Sequence, residues 1–130
     1  MAKWSVSDMG LEYYNPDEAV QTPLGMIKQF VRVSGQKPDA ALYMNLIFEE
    51  FTEWENEEDP VAELKELTDL LYVIYGYANA KGWDIEEAFR RVHANNMGRM
   101  YQPDGSIKRR ADGKIEKNKE YSKVNLEDLI

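Results

Sequence analysis

The sequence predicts an all-α fold, a four-helix bundle with an extended, hairpin-like C-terminal tail. Apolar residues recur at helical spacing in three segments, helix-start signals open the third of these and a fourth helix, and glycines follow two of the helices. Asp59-Pro60 and Asp84, with Glu87 three residues later, are typical of helix N-termini. Gly35 and Gly82 are expected to end helices. A chain of 130 residues with 43% hydrophobic amino acids supports one domain with a buried core.

The expected elements follow one another closely along the chain. The helices are predicted over residues 23–34, 39–58, 60–81 and 84–99. Turn sequences at 103–105 and 111–113 predict the hairpin-like tail. The single domain 1–130 thus divides into a lead-in over 1–21, a helical core over 22–99 and a tail over 100–130.

The composition excludes several classes of protein. There is no cysteine, which rules out a disulfide scaffold, a zinc–thiolate site and a thiol nucleophile, and the one histidine argues against a multi-histidine zinc site. The first ten residues lack the apolar stretch of a signal peptide. The most apolar segment, 70–80, is too short to cross a bilayer. We therefore expect a soluble, cytoplasmic protein with no membrane partner.

The negative charge is concentrated in one window. The chain carries a net charge of −8, yet residues 49–69 hold ten acidic side chains and a single base, Lys65. Residues 99–123 hold eight bases and four acids. An acidic centre with a basic C-terminal arm is unsuited to gripping duplex nucleic acid. It favours a cation site with an anionic ligand held against it.

Several acidic residues fall on the apolar faces of predicted helices. A helical projection gives the second helix a core face of Leu42, Tyr43, Leu46, Ile47, Phe51 and Trp54. The third helix has a broad apolar arc of Leu64, Leu67, Leu70, Leu71, Ile74, Tyr75 and Ala78, which Val73 and Tyr77 extend. Glu50 and Glu53 lie within the first face, Glu66 lies between Val73 and Tyr77, and Asp69 lies at the edge. These carboxylates therefore point towards the side on which the two helices would pack.

Carboxylates in such positions require a partner. An unpaired buried carboxylate costs several kcal/mol, and like charges close together add to that cost. Basic side chains from elsewhere in the chain or a hard cation such as Mg²⁺, which prefers oxygen ligands, would both relieve it. The alternative is that these residues belong to a solvated acidic helix face.

The acidic residues also form a motif. Glu49-Glu50-x-x-Glu53, a gap of twelve residues and Glu66-x-x-Asp69 resemble the EExxE…ExxD signature of the MazG-like all-α nucleotide pyrophosphohydrolases. Three further segments resemble the phage-type, phosphoribosyl-ATP pyrophosphohydrolase-like branch: His93-x-x-Asn96-Met97-x-Arg99, Pro103-Asp104-Gly105 and Arg110-x-Asp112-Gly113-Lys114-x-x-Lys117. The resemblance covers roughly residues 22–128. It departs from the branch at Arg99, often lysine there, and at Glu116.

The resemblance implies an enzyme that cleaves a nucleoside triphosphate into the monophosphate and pyrophosphate. It implies Mg²⁺, with Mn²⁺ as a substitute, bound by Glu50, Glu53, Glu66 and Asp69, and Glu49 as a further ligand or a residue behind the ligands. Glu50 or Glu53 is the expected catalytic proton acceptor for the attacking water. Relatives form homodimers or dimers of dimers, and the many-sided apolar character of residues 61–80 also favours a homodimer or homotetramer.

Basic and amide side chains are candidates for binding the substrate. Arg99, Arg110, Lys114 and Lys117 would hold the phosphates remote from the metal. The alternative is a solvated basic tail that balances the acidic helices. Asn96 offers both a donor and an acceptor to a base edge or a ribose, or else makes a helix-terminal hydrogen bond.

The substrate is the least determined feature. We expect a purine nucleotide such as dGTP or GTP and a role in nucleotide-pool control, in the host cytoplasm if the chain is phage-encoded. Phosphoribosyl-ATP itself is disfavoured because the tail resembles the phage-type branch. The alternative function is an acidic helical interaction module, a nucleic-acid mimic or inhibitor without catalysis, which would need its charges exposed.

Overall fold

The computed structural model of the protein describes residues 14–130, and the first thirteen residues of the predicted lead-in lie outside the described part. Residues 14–130 contain four α-helices and no β-strand, which confirms the all-α fold class. The helices are α1 (Pro23–Ser34), α2 (Ala40–Asn56), α3 (Pro60–Lys81) and α4 (Ile85–Arg99), and a short 3-10 helix follows at Glu127–Leu129. No helix of the described residues is long and apolar enough to span a membrane.

The predicted capping residues set the helix boundaries. Asp39, Asp59 and Asp84 each accept a hydrogen bond from a backbone N–H in the first turn of α2, α3 and α4. Gly35 and Gly82 end α1 and α3 in the left-handed conformation, with φ of 70° and 76°. Helix α2 ends two residues earlier than predicted, because the chain is already extended at its C-cap, three residues before Pro60.

The chain divides into two compact units, residues up to 83 and residues 84–130. In the first unit, α2 and α3 form a helical hairpin and α1 packs on α3. Among the described residues, its buried hydrophobic side chains come from all three helices: Leu24, Ile27, Tyr43, Val73 and Ala78.

The closest approach in the hairpin is between Tyr43 of α2 and Gly76 of α3. The Tyr43 ring is 2% exposed, and a Cβ atom added at Gly76 would lie 2.1 Å from it. Gln36 donates a hydrogen bond of 2.8 Å to the Tyr43 hydroxyl, so the polar end of the ring is also satisfied. Only glycine lets the backbone of α3 come this close to the ring.

Part of the predicted core is at the surface of the single chain. Leu64 is 64% exposed and Leu71 51% exposed on α3, and Phe51 on α2 is 44% exposed. Leu42 and Leu67 are exposed as well. The placement of these five side chains in a core is wrong for one chain, because α1 and α2 cover other sides of α3.

The second unit is α4 with the tail folded onto it. Tyr121 lies over Gly98, where an added Cβ would come within 2.4 Å of the ring. Arg91 makes a two-point ion pair with Asp128, with separations of 2.6 and 2.9 Å. The Asn95 side chain donates to the Ser122 carbonyl. These contacts hold the last part of the tail, residues 121–128, on α4.

The tail is hairpin-like, as predicted, and both predicted turns form. Gly105 and Gly113 take the positive φ values, 82° and 88°, that such turns demand. Arg109 and Ile115 form one antiparallel bridge, and Glu116 donates its N–H to the Lys108 carbonyl at 2.8 Å. The pairing is too short to make a strand.

We expect Gly76→Ala to destabilise the protein by about 1–3 kcal/mol, because the added methyl group overpacks the contact with Tyr43. Urea unfolding followed by circular dichroism measures the change. The double variant Tyr43→Leu/Gly76→Ala is the control, since the smaller side chain should remove most of the extra cost. Equal costs of Gly76→Ala in both backgrounds would contradict the assignment.

Candidate functional site

Three carboxylates meet where α2 packs on α3. Glu50 and Glu53 are one turn apart on α2, and Glu66 lies in the second turn of α3. One carboxylate oxygen from each residue lies within 4.8 Å of the other two. The helical projection predicted that these side chains face the hairpin interface, and the structure brings them together there.

Two of these carboxylates are partly shielded from water without compensation. Oε2 of Glu50 and Oε2 of Glu66 are buried and have no hydrogen-bond partner, whereas Glu53 is exposed. A buried, unpaired carboxylate oxygen is unfavourable, and the neighbouring negative charges make it more so. The arrangement is one that folding alone would not favour.

The unfavourable burial of these carboxylates raises their pKa values. Burial, followed by the charges of Glu53 and Asp69, raises the pKa of Glu50 from 4.5 to about 7. The pKa of Glu66 is also raised, chiefly by burial and by its contact with Glu53. Glu50 therefore keeps a proton at pH values where an ordinary glutamate has lost it.

Asp69 is held by a lysine. Lys65 Nζ lies 2.5 Å from Asp69 Oδ2 and 3.8 Å from Glu66 Oε1. The ammonium group thus partly neutralises the cluster from its exposed side, where the Lys65 side chain is 67% exposed. No contact was predicted for this lysine from the sequence. Its spacing of four residues before Asp69 was the available signal. Glu49 is exposed and outside the group of three.

The predicted substrate-binding residues all belong to the second unit. A cavity of about 620 Å³ is lined by Arg99, Arg110, Lys114 and Lys117. Lys108 and Lys119 line it too, and the sequence analysis missed both. Lys108 lines the cavity because the hairpin folds back and brings it beside Glu116. The two residues are not neighbours in the sequence, so no local pattern predicts the contact. Glu116 and Glu120 are the acidic residues of the wall.

The basic side chains that line this cavity differ in whether an acidic side chain already pairs with them. Arg110 forms an ion pair with Asp112. Among residues 14–130, no acid lies within ion-pair distance of Lys114 or Lys117. The Nε–H of Arg99 is buried and has no acceptor. Unused positive charge is therefore available to an anion.

Asn96 lies in a second cavity, of about 350 Å³. Met97, Met100 and Ile115 form its apolar wall, and Lys114 and Lys117 line both cavities. The roles assigned to all these residues stay predictions, although their grouping in space agrees with the assignment.

The donor set of the acidic cluster is that of a hard divalent cation. Carboxylates from two facing helices, a fourth carboxylate beside them and buried oxygens without donors fit such an ion better than they fit a solvated helix face. The class of protein defined by this fold and site is thus an all-α protein with a candidate carboxylate metal site between helices.

A comparison with protein families gives the same class. The family model of phosphoribosyl-ATP pyrophosphohydrolase matches residues 36–96, which include α2, α3 and most of α4. The matched segment, a little under half of the chain, is thus similar to the MazG-like all-α pyrophosphohydrolase superfamily. The match supports a nucleotide pyrophosphohydrolase activity in general and a dependence on divalent metal typical of the family. No curated protein matches the chain.

We expect the metal-free protein to lose stability as the pH rises from about 5 to 8. The raised pKa of Glu50 means that the folded state holds a proton that the unfolded chain releases near pH 4.5, so this stabilisation is complete below 4.5 and lost as the pH passes 7. Urea unfolding in EDTA at both pH values measures the loss. Glu50→Gln should show a smaller loss and gain on the wild type at pH 8. Identical pH dependence in the two proteins would contradict the assignment.

Proposed function

We propose that the protein hydrolyses a nucleoside or deoxynucleoside triphosphate between the α and β phosphates, in a Mg²⁺-dependent reaction that releases the monophosphate and pyrophosphate. One observation carries the proposal: three carboxylates lie within 4.8 Å of one another, and two of them have a buried oxygen that lacks a partner. A purine nucleotide such as dGTP or GTP and a role in nucleotide-pool control are parts of the proposal.

In this proposal the metal ligands are Glu50, Glu53, Glu66 and Asp69, with Mn²⁺ as a substitute for Mg²⁺. For Asp69 to bind the metal through Oδ2, the Lys65 ammonium group must move away, because the two cations would compete for that oxygen. The exposed Lys65 side chain is free to make that movement. Mg²⁺ prefers carboxylate oxygens that converge from separate elements, which this hairpin supplies.

A bound divalent cation would neutralise phosphate oxygens and make an attacking water more acidic. The proton of that water passes to a carboxylate in the cluster. Glu53 is exposed, so water reaches it directly, and Glu50 lies beside it in the same cluster. These are the two candidates for the proton acceptor. Arg99, Arg110, Lys114 and Lys117 bind the phosphates through their positive charge.

We also propose that the active form is a homodimer or a dimer of dimers. Large apolar side chains of α2 and α3 are exposed, and we call this set the apolar stripe: Phe48, Phe51, Val61, Leu64, Leu67 and Leu71. A second copy of the chain would cover this stripe with the same stripe of its own, as a two-fold interface requires.

An acidic interaction module remains the alternative function. Its charges would have to be presented to a partner. The buried Oε2 atoms of Glu50 and Glu66 are turned into the hairpin, which disfavours it.

Product analysis tests the proposal. The eight common ribo- and deoxyribonucleoside triphosphates and phosphoribosyl-ATP would each be incubated with the protein in Mg²⁺ and in EDTA. We expect a monophosphate and pyrophosphate from one or two purine triphosphates in Mg²⁺, and no product in EDTA. The variant Glu53→Gln should lower turnover by at least about a hundredfold while keeping the helical circular dichroism spectrum, because it removes a ligand and a proton acceptor.

The matched control is Glu55→Gln, an exposed glutamate on α2 outside the cluster, which should retain activity. Release of a diphosphate and phosphate would overturn the proposed cleavage position. Cleavage of phosphoribosyl-ATP alone would overturn the proposed substrate. Folded protein without turnover on any nucleotide would favour the interaction module.

A further inference from the structure

We infer that the second unit, residues 84–130, holds the nucleotide by itself: its apolar cavity takes the nucleobase and its basic cavity takes the phosphates, with no need for metal. The inference rests on the proposed function for the class of ligand, and it adds the part of the chain that binds the substrate.

The two cavities are contiguous in their lining. Lys114, Ile115 and Lys117 belong to both. On one side of them lies a space of about 350 Å³ with thioether and aliphatic walls, and on the other a space of about 620 Å³ with cationic walls. A ligand that spans both needs an apolar, flat end joined to a polyanionic end. A nucleoside di- or triphosphate has this form.

The apolar cavity suits a base. Met97 and Met100 present polarisable thioethers, which make favourable contacts with aromatic rings. The Asn96 side chain lies in the same cavity and makes no hydrogen bond among residues 14–130, so its amide is free to pair with a base edge. One unpaired amide in an apolar wall is the usual means of orienting a ligand.

The basic cavity suits phosphates. Six cations line it against two acids: Arg99, Lys108, Arg110, Lys114, Lys117 and Lys119. Arg110 is already paired with Asp112, which leaves Lys114 and Lys117 as unpaired charges at the junction of the two cavities. The buried Nε–H of Arg99 lacks an acceptor, which a phosphate oxygen would supply.

The walls are fixed before any ligand arrives. Asn118 donates its N–H to the Arg99 carbonyl at 2.6 Å, and Arg110 donates to the Lys114 carbonyl at 2.7 Å. The Gln102 side chain donates to the Glu116 carbonyl at 3.0 Å. A cavity held by backbone hydrogen bonds loses little entropy on binding, and this favours a specific ligand over loose association with a polyanion.

Calorimetric titration of the full chain in EDTA tests the inference, with GTP and inorganic triphosphate as the probes. We expect GTP to bind in the absence of metal and more tightly than inorganic triphosphate. The double variant Lys114→Met/Lys117→Met should weaken GTP binding by at least about tenfold, because it removes two charged hydrogen-bond donors. Lys123→Met changes an exposed tail lysine outside both cavities and should have no effect.

A second variant separates the two cavities. Met97→Asn should weaken GTP binding and leave inorganic triphosphate binding within about twofold, because it makes the apolar wall polar without adding a charge beside Lys114 and Lys117. Equal affinity for both probes would overturn the inference, because the cavity would then bind anions without regard to the base. Lys123→Met would overturn it too if it weakened GTP binding as much as the double lysine variant does. Failure of GTP to bind in EDTA would overturn it as well.

The same titration with Glu53→Gln separates this inference from the proposed function. GTP binding in EDTA should be retained in this variant, since the inference places every contact that holds the nucleotide in the second unit. Hydrolysis by the wild type without metal-free binding would sustain the proposed function and overturn the inference. Metal-free binding without hydrolysis would do the reverse.

Discussion

The acidic site depends on how α2 and α3 are aligned with each other in the hairpin. The buried Tyr43 ring fits against Gly76, and the two helices run in opposite directions from that contact. Glu50 follows Tyr43 by seven residues and Asp69 precedes Gly76 by seven, so two helical turns from the contact these carboxyl groups come to face each other. The same packing that stabilises the hairpin therefore brings like charges together, and the raised pKa of Glu50 reflects its burial first and the neighbouring charges second.

Carboxylates held together at an unfavourable free energy are typical of functional sites, where a bound ligand compensates the free energy that folding loses. Lys65 offsets a part of it from the solvent side, but it reaches Asp69 and Glu66 and leaves the buried oxygens without donors. The second unit carries the opposite imbalance, with unpaired lysines and an unsatisfied buried guanidinium N–H. A metal ion and a nucleoside polyphosphate are the ligands that would compensate the two imbalances.

Much of the fold could be predicted from local sequence because local interactions set the helix boundaries. Asp59, Asp84 and Gly82 act within a single turn, and the structure places them at the predicted ends. The inward position of Glu50 and Glu66 followed from helical period alone. The extent of the core could not be predicted in this way. Leu64 and the other exposed leucines recur at the same helical spacing as buried residues, and only their packing partners distinguish the two groups. The cavity lining of Lys108 likewise depends on how the hairpin folds back.

The central claim is that the clustered carboxylates bind a divalent cation, and diffraction from crystals soaked in Mn²⁺ tests it most directly. The anomalous signal of manganese locates the ion without reference to catalysis. We expect a peak about 2.2 Å from carboxylate oxygens of Glu50, Glu53 and Glu66, with the Lys65 ammonium group withdrawn from Asp69. Well-ordered crystals with no peak there, and with the Lys65–Asp69 ion pair intact at saturating Mn²⁺, would contradict it.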